Sequence, residues 1–269
     1  MSETAISDVE FGRFRDLMRR TAGVELAPSK KQLVSGRLGR RLRAHGLKSF
    51  SDYYQLVVGG TQADELDRVV DLLTTHETYF FREPKHFEFL AADVLPRLRG
   101  ADALRVWSAA SSTGEEAYSL AMVLMDHLGA GACWEVFGSD ISHEVLKEAA
   151  TGVYAMNRID GIPGDYLRRF CLRGIGTREG TLRIDAALRR RVRFAPANLN
   201  DSLAGVGQFD IVFLRNVLIY FDLPGKQQIV HRVLGQLKPH GWLFIGHAET
   251  LNGVSTSVRQ ERPTIYRKA

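Results

Sequence analysis

The stretch from Leu104 to Asp140 constrains the fold more than any other part of the chain. Leu104-Arg105-Val106-Trp107-Ser108-Ala109 reads as a strand, and Ala110-Ser111-Ser112-Thr113-Gly114 as a tight turn of small residues. Glu115-Glu116 then open a helix whose apolar positions are Ala117, Leu120, Ala121, Leu124, Met125 and Leu128, one buried face at helical spacing. A second strand, Trp134-Glu135-Val136-Phe137-Gly138, ends on Ser139-Asp140. Strand, small-residue turn, helix, strand and acid make the layout of a nucleotide-binding βαβ unit. Small residues let the backbone approach a ligand, and the acid has oxygens for two ribose hydroxyls.

The turn lacks what a dinucleotide needs. A pyrophosphate sits on a glycine-rich turn at a helix N-terminus, where amide N–H groups and the dipole favour anions. Here the turn has one glycine, and Glu115 and Glu116 occupy the helix start. Carboxylates are comfortable there but repel a phosphate. The expected ligand is a nucleoside without phosphate that tolerates positive charge, an outline that S-adenosylmethionine fits.

At 269 residues the chain has room for one large domain and a smaller one. No apolar run approaches the ~20 residues of a membrane span, and no signal-peptide pattern opens the sequence. Cys133 and Cys171 are too few for a Cys/His metal constellation; they read as partly buried thiols in a reducing cytoplasm. No metal site is expected. A net charge of +5 predicts acidic partners without naming them.

Residues 1–75 read as helical. Val9, Phe11, Phe14, Leu17 and Met18 form one amphipathic stripe, closed by Gly23. From Leu26 to Ser51 there are seven Lys/Arg and no acid. Val34, Leu38 and Leu42 give that helix a buried side, while Arg37, Arg40 and Arg41 project elsewhere, with Arg43 close by. A single-sign face suits docking to an acidic partner; a merely solvated face is the alternative. Helices follow at Ser51–Val58 and Ala63–Leu73. His76-Glu77-Thr78-Tyr79-Phe80-Phe81-Arg82-Glu83-Pro84 reads as a packed linker, with Pro84 starting a helix that runs on from Lys85 to Leu98.

Beyond Asp140 a helix is expected over Ile141–Thr151, with Asp140 or Ser142 as N-cap. About 40 residues then precede the next strand, Val192–Ala195, far more than an ordinary crossover takes. Within them Leu172 to Ile184 alternates around glycine-rich turns, predicting a β-hairpin in an inserted subdomain with an exposed strand edge. Phe209–Leu214 reads as a buried parallel strand, followed by a helix from Pro224 to Leu237, a strand at Gly241–Ile245 and a short antiparallel strand within Ser257–Arg267. Asp140, Asn198, Arg215 and Asn216 all fall at strand C-termini, where open sheets bind ligands.

Four segments carry a resemblance to a known family: Leu73 to Glu83, Val106 to Glu116, Phe209 to Asp222, and Leu243-Phe244-Ile245-Gly246-His247-Ala248-Glu249. In these the chain resembles, over essentially its whole length, the CheR-type chemotaxis receptor methyltransferases, which are protein-glutamate O-methyltransferases. The resemblance implies an α/β fold: a class I S-adenosylmethionine-dependent methyltransferase (Rossmann-like) sheet with an inserted small β-subdomain, preceded by an all-α N-terminal domain. The expected boundaries are 1–75 for a receptor-docking domain, 76–89 for a linker contributing to the cofactor site, 90–269 for the methyltransferase domain and 154–191 for the insertion. Cofactor contacts fall on Thr78, Arg82, Glu116, Asp140, Asn198, Leu199, Arg215 and Asn216, with Arg82 and Tyr220 nearest the transferred methyl. The product is S-adenosylhomocysteine. The implied partners are chemoreceptor cytoplasmic helices, docked at Arg37, Arg40, Arg41 and Arg43, and a C-terminal receptor pentapeptide held at the compact loop Arg173-Gly174-Ile175-Gly176. Nucleic acid and direct membrane insertion are not implied, and the location is the cytoplasm. In two places the chain departs from the family pattern: His76 stands where Asn is usual, and Ala117 where Pro is usual.

Methyl transfer from a sulfonium to an ionised glutamate needs no general base, since the reference carboxyl pKa is ~4.3. It needs alignment at roughly 3–3.5 Å and removal of water. Arg82 has the fork to orient a carboxylate, and the Tyr220 hydroxyl can bond beside the methyl. Two other readings stay open on the residues alone. A nucleic-acid methyltransferase suits the basic helix, although the chain lacks an Asn/Asp-Pro-Pro-aromatic motif. A non-catalytic cofactor sensor predicts loss of Arg82 or Tyr220, and both are present. A nicotinamide dehydrogenase is disfavoured by the phosphate-repelling turn.

Overall fold

The computed structural model describes residues 5–60, 62, 64–98, 103–255 and 257–269. The chain forms two compact units, one running to Thr75 and including Tyr220–Gly225, the other comprising His76–Ile219 and Lys226–Ala269.

The first unit holds helices α1 (Asp8–Ala22), α2 (Lys31–Ala44), α3 (Phe50–Val58) and α4 (Glu65–Leu73). Ala63, where the sequence begins the last of these, lies outside the described residues. Ser7 and Glu10 close α1 with a reciprocal capping box, and Gly23 ends it at φ 71. Phe11, Phe14, Leu17 and Met18 are buried as expected, but Val9 is 69% exposed and drops out of the stripe. Val34, Leu38 and Leu42 face inward on α2. The basic helix is less open than its composition suggests. Arg41 forms a fork onto Glu65 at 2.8 and 2.7 Å, and Tyr53 donates to the same carboxylate at 2.7 Å. Arg37 donates to the carbonyls of Leu72 and Thr74. The balancing acid comes from α4, which a window confined to residues 26–51 cannot show. Arg40 and Arg43 are exposed.

The second unit begins with the 76–83 segment, in which Phe80 and Phe81 are buried. Helix α5 (Pro84–Phe89) follows, then a π-helical stretch at Leu90–Val94 and the short α6 (Leu95–Arg97). The continuous helix expected over Lys85–Leu98 is therefore interrupted. Pro96 has no N–H for the Ala92 carbonyl and crowds it, and the wider π turn ahead of it relieves both problems. Next come β1 (Leu104–Ala109), α7 (Glu115–Leu128), β2 (Trp134–Asp140), α8 (His143–Thr151) and β3 (Val153–Ala155). They are followed by α9 (Gly164–Phe170), β4 (Cys171–Arg173), β5 (Thr181–Ile184), α10 (Ala186–Arg189) and β6 (Val192–Pro196). The chain finishes with β7 (Phe209–Leu214), α11 (Leu223–Gln236), β8 (Leu237–Ile245), β9 (Val258–Arg262) and β10 (Ile265–Lys268).

The main sheet has the order β6-β2-β1-β7-β8-β10-β9, with the first five strands parallel and the last two antiparallel. The tail thus supplies two strands where the sequence suggested one. Strands β1 and β7 are central and almost wholly buried, which accounts for their unbroken apolar character. A separate sheet, β3-β5-β4, is antiparallel; it contains the hairpin expected over Leu172–Ile184, as β4–β5, with Cys171 paired to Ile184. A mostly parallel sheet with an added antiparallel one, after an all-helical unit, is the architecture that the resemblance implies. Cys133 is exposed rather than partly buried, and Cys171 is half-buried.

Candidate active site at the carboxyl ends of the central strands

Strands β1, β2, β7 and β8 end side by side, so short excursions from each bring polar side chains together. After β1 the chain turns through Ala110 (φ 64), Ser112 (φ 49) and Gly114 (φ 93). At Gly114 the αL geometry is matched by close packing: a Cβ there would meet Ala149 at 2.9 Å and Phe194 at 3.0 Å. Asp140, buried at the end of β2, holds this turn by accepting the Ser112 amide at 2.9 Å with one oxygen. Its other oxygen accepts the Ser142 amide at 3.0 Å. Ser142 itself caps α8, so Asp140 stands two residues before the cap. Burial raises its pKa against the pull of these amides.

The two glutamates of α7 part company. Glu115 is fully buried and pairs with Arg158 of the inserted region, which also donates to Thr113 Oγ1 at 2.9 Å. Burial raises the Glu115 pKa, with Thr113 and Arg158 opposing. Glu115 therefore belongs to the fold. Glu116 faces the strand ends, accepting from Ser108 Oγ at 2.7 Å and from Arg215 Nη1 at 3.0 Å.

Arg215 is the hub. Its side chain is 1% exposed and is gripped by Glu116 and, at 2.9 Å, by Glu83, while its Nη2 also donates to the Arg82 carbonyl. Asn216, at φ 57, sends its Nδ2 to Glu83 Oε1 at 3.1 Å. The backbone amide of His247 reaches the same oxygen at 3.1 Å. Burial opposes ionisation of Glu83, but the charge and hydrogen bonds of Arg215 outweigh it and hold the carboxyl at about 2. At Glu116 burial wins and the pKa is raised despite Arg215. Two carboxylates thus share one guanidinium. This is an excess of negative charge that suits a cationic ligand. Ser111 Oγ and Arg215 Nε are buried polar atoms without a protein partner at these same strand ends. Left so they would be costly, and a polar ligand satisfies them.

The other expected site residues are placed less tightly. Thr78 is half-buried in the 76–83 segment. The Arg82 guanidinium donates to the Glu77 carbonyl at 2.9 Å and lies 5.6 Å from the Tyr79 ring, paired with neither neighbouring carboxylate. The His76 carbonyl accepts from Ser112 Oγ. The Asn198 amide is engaged within its own turn with Asp201 and the Asn200 backbone, and the Leu199 carbonyl accepts from Arg232. Tyr220 counts with the first unit, where its carbonyl accepts the Glu25 amide. Arg173, Gly174 and Gly176 lie on the β4–β5 hairpin. The Gly174 amide donates to the Thr181 carbonyl, and Leu172 and Ile175 are exposed beside them.

Three contributors escape sequence reasoning: Glu83, Ser108 and Glu249. Glu249 accepts the amides of Asn216 at 3.0 Å and Gly246 at 2.6 Å, tying the loops after β7 and β8 together. A carboxylate just past a buried strand was the available signal. Among the described residues, five of the seven non-glycine positions with positive φ, Phe81, Glu83, Ala110, Ser112 and Asn216, lie in these segments; strain collects where geometry is being enforced.

Residues 9–74 match the CheR methyltransferase all-alpha domain, and residues 76–266 match the CheR methyltransferase SAM binding domain. The chain belongs to the CheR methyltransferase family. A chemotaxis protein methyltransferase of Escherichia coli (strain K12) is 42% identical over 264 residues, spanning 97% of this chain and 91% of that protein. Chemotaxis protein methyltransferase 2 of Pseudomonas aeruginosa is 39% identical over 262 residues, covering 97% and 93%. The chemotaxis protein methyltransferase of Borreliella burgdorferi is 33% identical over 273 residues, covering 98% and 95%. Among solved structures, a glycopeptide N-methyltransferase with bound S-adenosylmethionine aligns at TM-score 0.37 and 17% identity, over 66% of this chain and 63% of that one. As a CheR family member the chain is an S-adenosylmethionine-dependent methyltransferase of chemotaxis. The excess of buried carboxylate and the orphaned Ser111 and Arg215 atoms fit that cofactor. No helix among the described residues is long and apolar enough to cross a membrane.

Proposed function

We propose that the chain methylates glutamate side-chain carboxylates on the cytoplasmic helices of chemoreceptors, in the cytoplasm, forming methyl esters. The observation that carries this reading is Arg215, buried and bonded at once to Glu83, Glu116 and the Arg82 carbonyl. It joins the cofactor-facing glutamate to the linker arginine beside which a substrate carboxylate would lie. S-adenosylmethionine, when bound, supplies an electrophilic methyl on a sulfonium.

In this reading Asp140 receives the ribose hydroxyls and Glu116 the polar end of the cofactor. Thr78, Asn198, Leu199, Arg215 and Asn216 line the same site. Arg82 orients the substrate carboxylate with a guanidinium now held only by a backbone carbonyl and the Tyr79 ring. Tyr220 places its hydroxyl beside the methyl. Transfer to a glutamate oxygen would break the carbon–sulfur bond and leave its electron pair on sulfur. No proton moves, so no base is needed; the residues align the partners and exclude water. Receptor docking uses the first unit, with Arg40 and Arg43 as its outward charges, and Arg37 and Arg41 as the ones that brace it. The β4–β5 hairpin, with Arg173, Gly174 and Gly176, adds a receptor pentapeptide along its edge.

The test is incubation with methyl-labelled S-adenosylmethionine and a receptor cytoplasmic fragment, followed by mild alkali. Label released as volatile methanol is the expected result. Alkali-stable label would overturn the carboxyl assignment in favour of nitrogen or nucleic-acid methylation.

A further inference from the structure

The turn from Ala110 to Gly114 is built on strained backbone: Ala110, Ser112 and Gly114 are all left-handed, at φ 64, 49 and 93. Two of these are not glycine, so the turn keeps its shape only where its surroundings enforce it. Asp140 and the His76 carbonyl grip it at Ser112, through the amide and the hydroxyl. Thr113, the next residue, is gripped from the inserted region. Tyr154 of β3 is 2% exposed and donates its hydroxyl to the Thr113 carbonyl at 2.8 Å. Burial raises the phenol pKa, so the hydroxyl keeps its proton. Arg158, four residues further on, donates Nη2 to Thr113 Oγ1 at 2.9 Å and to Glu115 Oε1, and Nη1 to Glu148 at 3.0 Å. Thr113 Oγ1 gives its one proton to Glu115 Oε2 at 2.7 Å, which leaves it an acceptor for Arg158. Both oxygens of the fully buried Glu115 are thereby filled. The Tyr154 ring also packs edge-on against Phe80 of the 76–83 segment, centroids 4.8 Å apart.

We propose that Tyr154 and Arg158 are positioning residues for the cofactor: they fix Thr113, hold the β1–α7 turn against Asp140, and so make the inserted region a determinant of cofactor affinity. This rests on the reading of Asp140 and Glu116 as cofactor contacts. Thr113 stands between them in the chain of forces. Its neighbour Ser112 gives the amide that Asp140 accepts, and α7, which carries Glu116, starts two residues after it. A shift at Thr113 is passed to both along a short and already strained backbone. The insertion does not need this contact merely to stay attached. Tyr166 of α9 donates to Asp126 at 2.8 Å, eleven residues along α7 from Glu115, or roughly 16 Å at the rise of an α-helix. One tyrosine hydroxyl of the insertion thus meets the cofactor turn, and another meets the far end of the same helix.

Those two tyrosines separate bracing of the turn from attachment of the insertion. Calorimetric binding of S-adenosylhomocysteine, measured well below the thermal midpoints, should weaken about fivefold in Tyr154→Phe. It should weaken about threefold in Arg158→Lys, which keeps a cation beside Glu115 but lacks the fork that also reaches Thr113. Tyr166→Phe, which likewise removes one hydroxyl bond between the insertion and α7, should bind as the wild type does. In turnover, the S-adenosylmethionine KM of Tyr154→Phe should rise by the same factor, while kcat at saturation and the KM for a receptor cytoplasmic fragment stay near wild type. Wild-type affinity in both Tyr154→Phe and Arg158→Lys would overturn the proposal. Equal weakening in Tyr154→Phe and Tyr166→Phe would also overturn it, since general loosening of the insertion would then account for the loss. A raised receptor KM with an unchanged cofactor KM would leave the insertion to the receptor alone and reject it too. Asp140→Asn, measured in parallel, tests the underlying reading: wild-type affinity there would take the turn out of the cofactor site, whatever Tyr154→Phe shows.

Discussion

Arg215 is 1% exposed, yet it is bonded to two carboxylates and a carbonyl. Removing one partner of such a group is far costlier than the net value of the ion pair, because buried charge is left behind. Arg215→Met keeps the volume and strands Glu83 and Glu116. It should lower stability by about 3–5 kcal/mol in urea unfolding and abolish cofactor binding together. Arg82 should behave differently. Arg82 is half-buried and its guanidinium meets the Glu77 carbonyl and the Tyr79 ring, so Arg82→Ala should leave folding nearly intact, cut kcat by at least about tenfold and weaken S-adenosylhomocysteine binding less than that. Parallel losses in affinity and turnover would end that division of labour. At this scale the sequence exposed Glu116, Asp140, Arg215 and Asn216, because each stands at the end of a strand or the start of a helix that can be recognised locally. Glu83 and Glu249 were not legible as site residues. They act across 133 and 33 positions of chain on Asn216, and nothing in their own neighbourhoods announces that partner.

Among the elements, the inserted β3-β5-β4 sheet is anchored by close approach as well as by the Arg158–Glu115 pair. At Gly161 a Cβ would fall 2.0 Å from the Phe80 carbonyl oxygen, a backbone atom that cannot swing away. At Gly164 it would meet only the end of Arg168, at 3.8 Å. Gly161→Ala should therefore cost about 1–3 kcal/mol by displacing the insertion from the 76–83 segment, whereas Gly164→Ala should be near neutral or slightly stabilising. Thermal unfolding of the two variants checks this; equal midpoints would mean the contact is easily relaxed. The strands were readable from apolar runs and the hairpin from alternation and glycine. The π stretch at Leu90–Val94 and the second tail strand were not, because a helical repeat looks the same through a one-residue widening and β9 gains its place only by pairing with β10.

Over the whole molecule, the first unit depends on one buried acid. Burial by itself would raise the Glu65 pKa, but the hydrogen bonds from Arg41 and Tyr53 prevail and bring it to about 2, against 4.5 for the unperturbed group. A folded-state pKa below the unfolded one means the stabilisation is complete above about pH 4.5 and is lost as pH falls toward 2. Acid titration followed by circular dichroism should show helix loss from this unit in that window. Glu65→Gln should start less stable at pH 7 and show a flatter acid limb; an unchanged acid limb would move the sensitivity elsewhere. Around the basic helix α2 composition shows charge but not its partners: of the seven cations in residues 26–51, Arg37 and Arg41 close onto α4 and its C-terminal carbonyls. Local sequence was enough to determine the helical first part, the βαβ core, the inserted hairpin and the acid at the end of β2, since periodicity, small-residue turns and caps are properties of neighbouring residues. Tertiary structure alone decided that Glu115 is buried against Arg158, that two carboxylates share Arg215, and that Glu249 ties the loops after β7 and β8 together. Those assignments depend on which distant groups meet where water is excluded, and a buried charge takes its role from its partners.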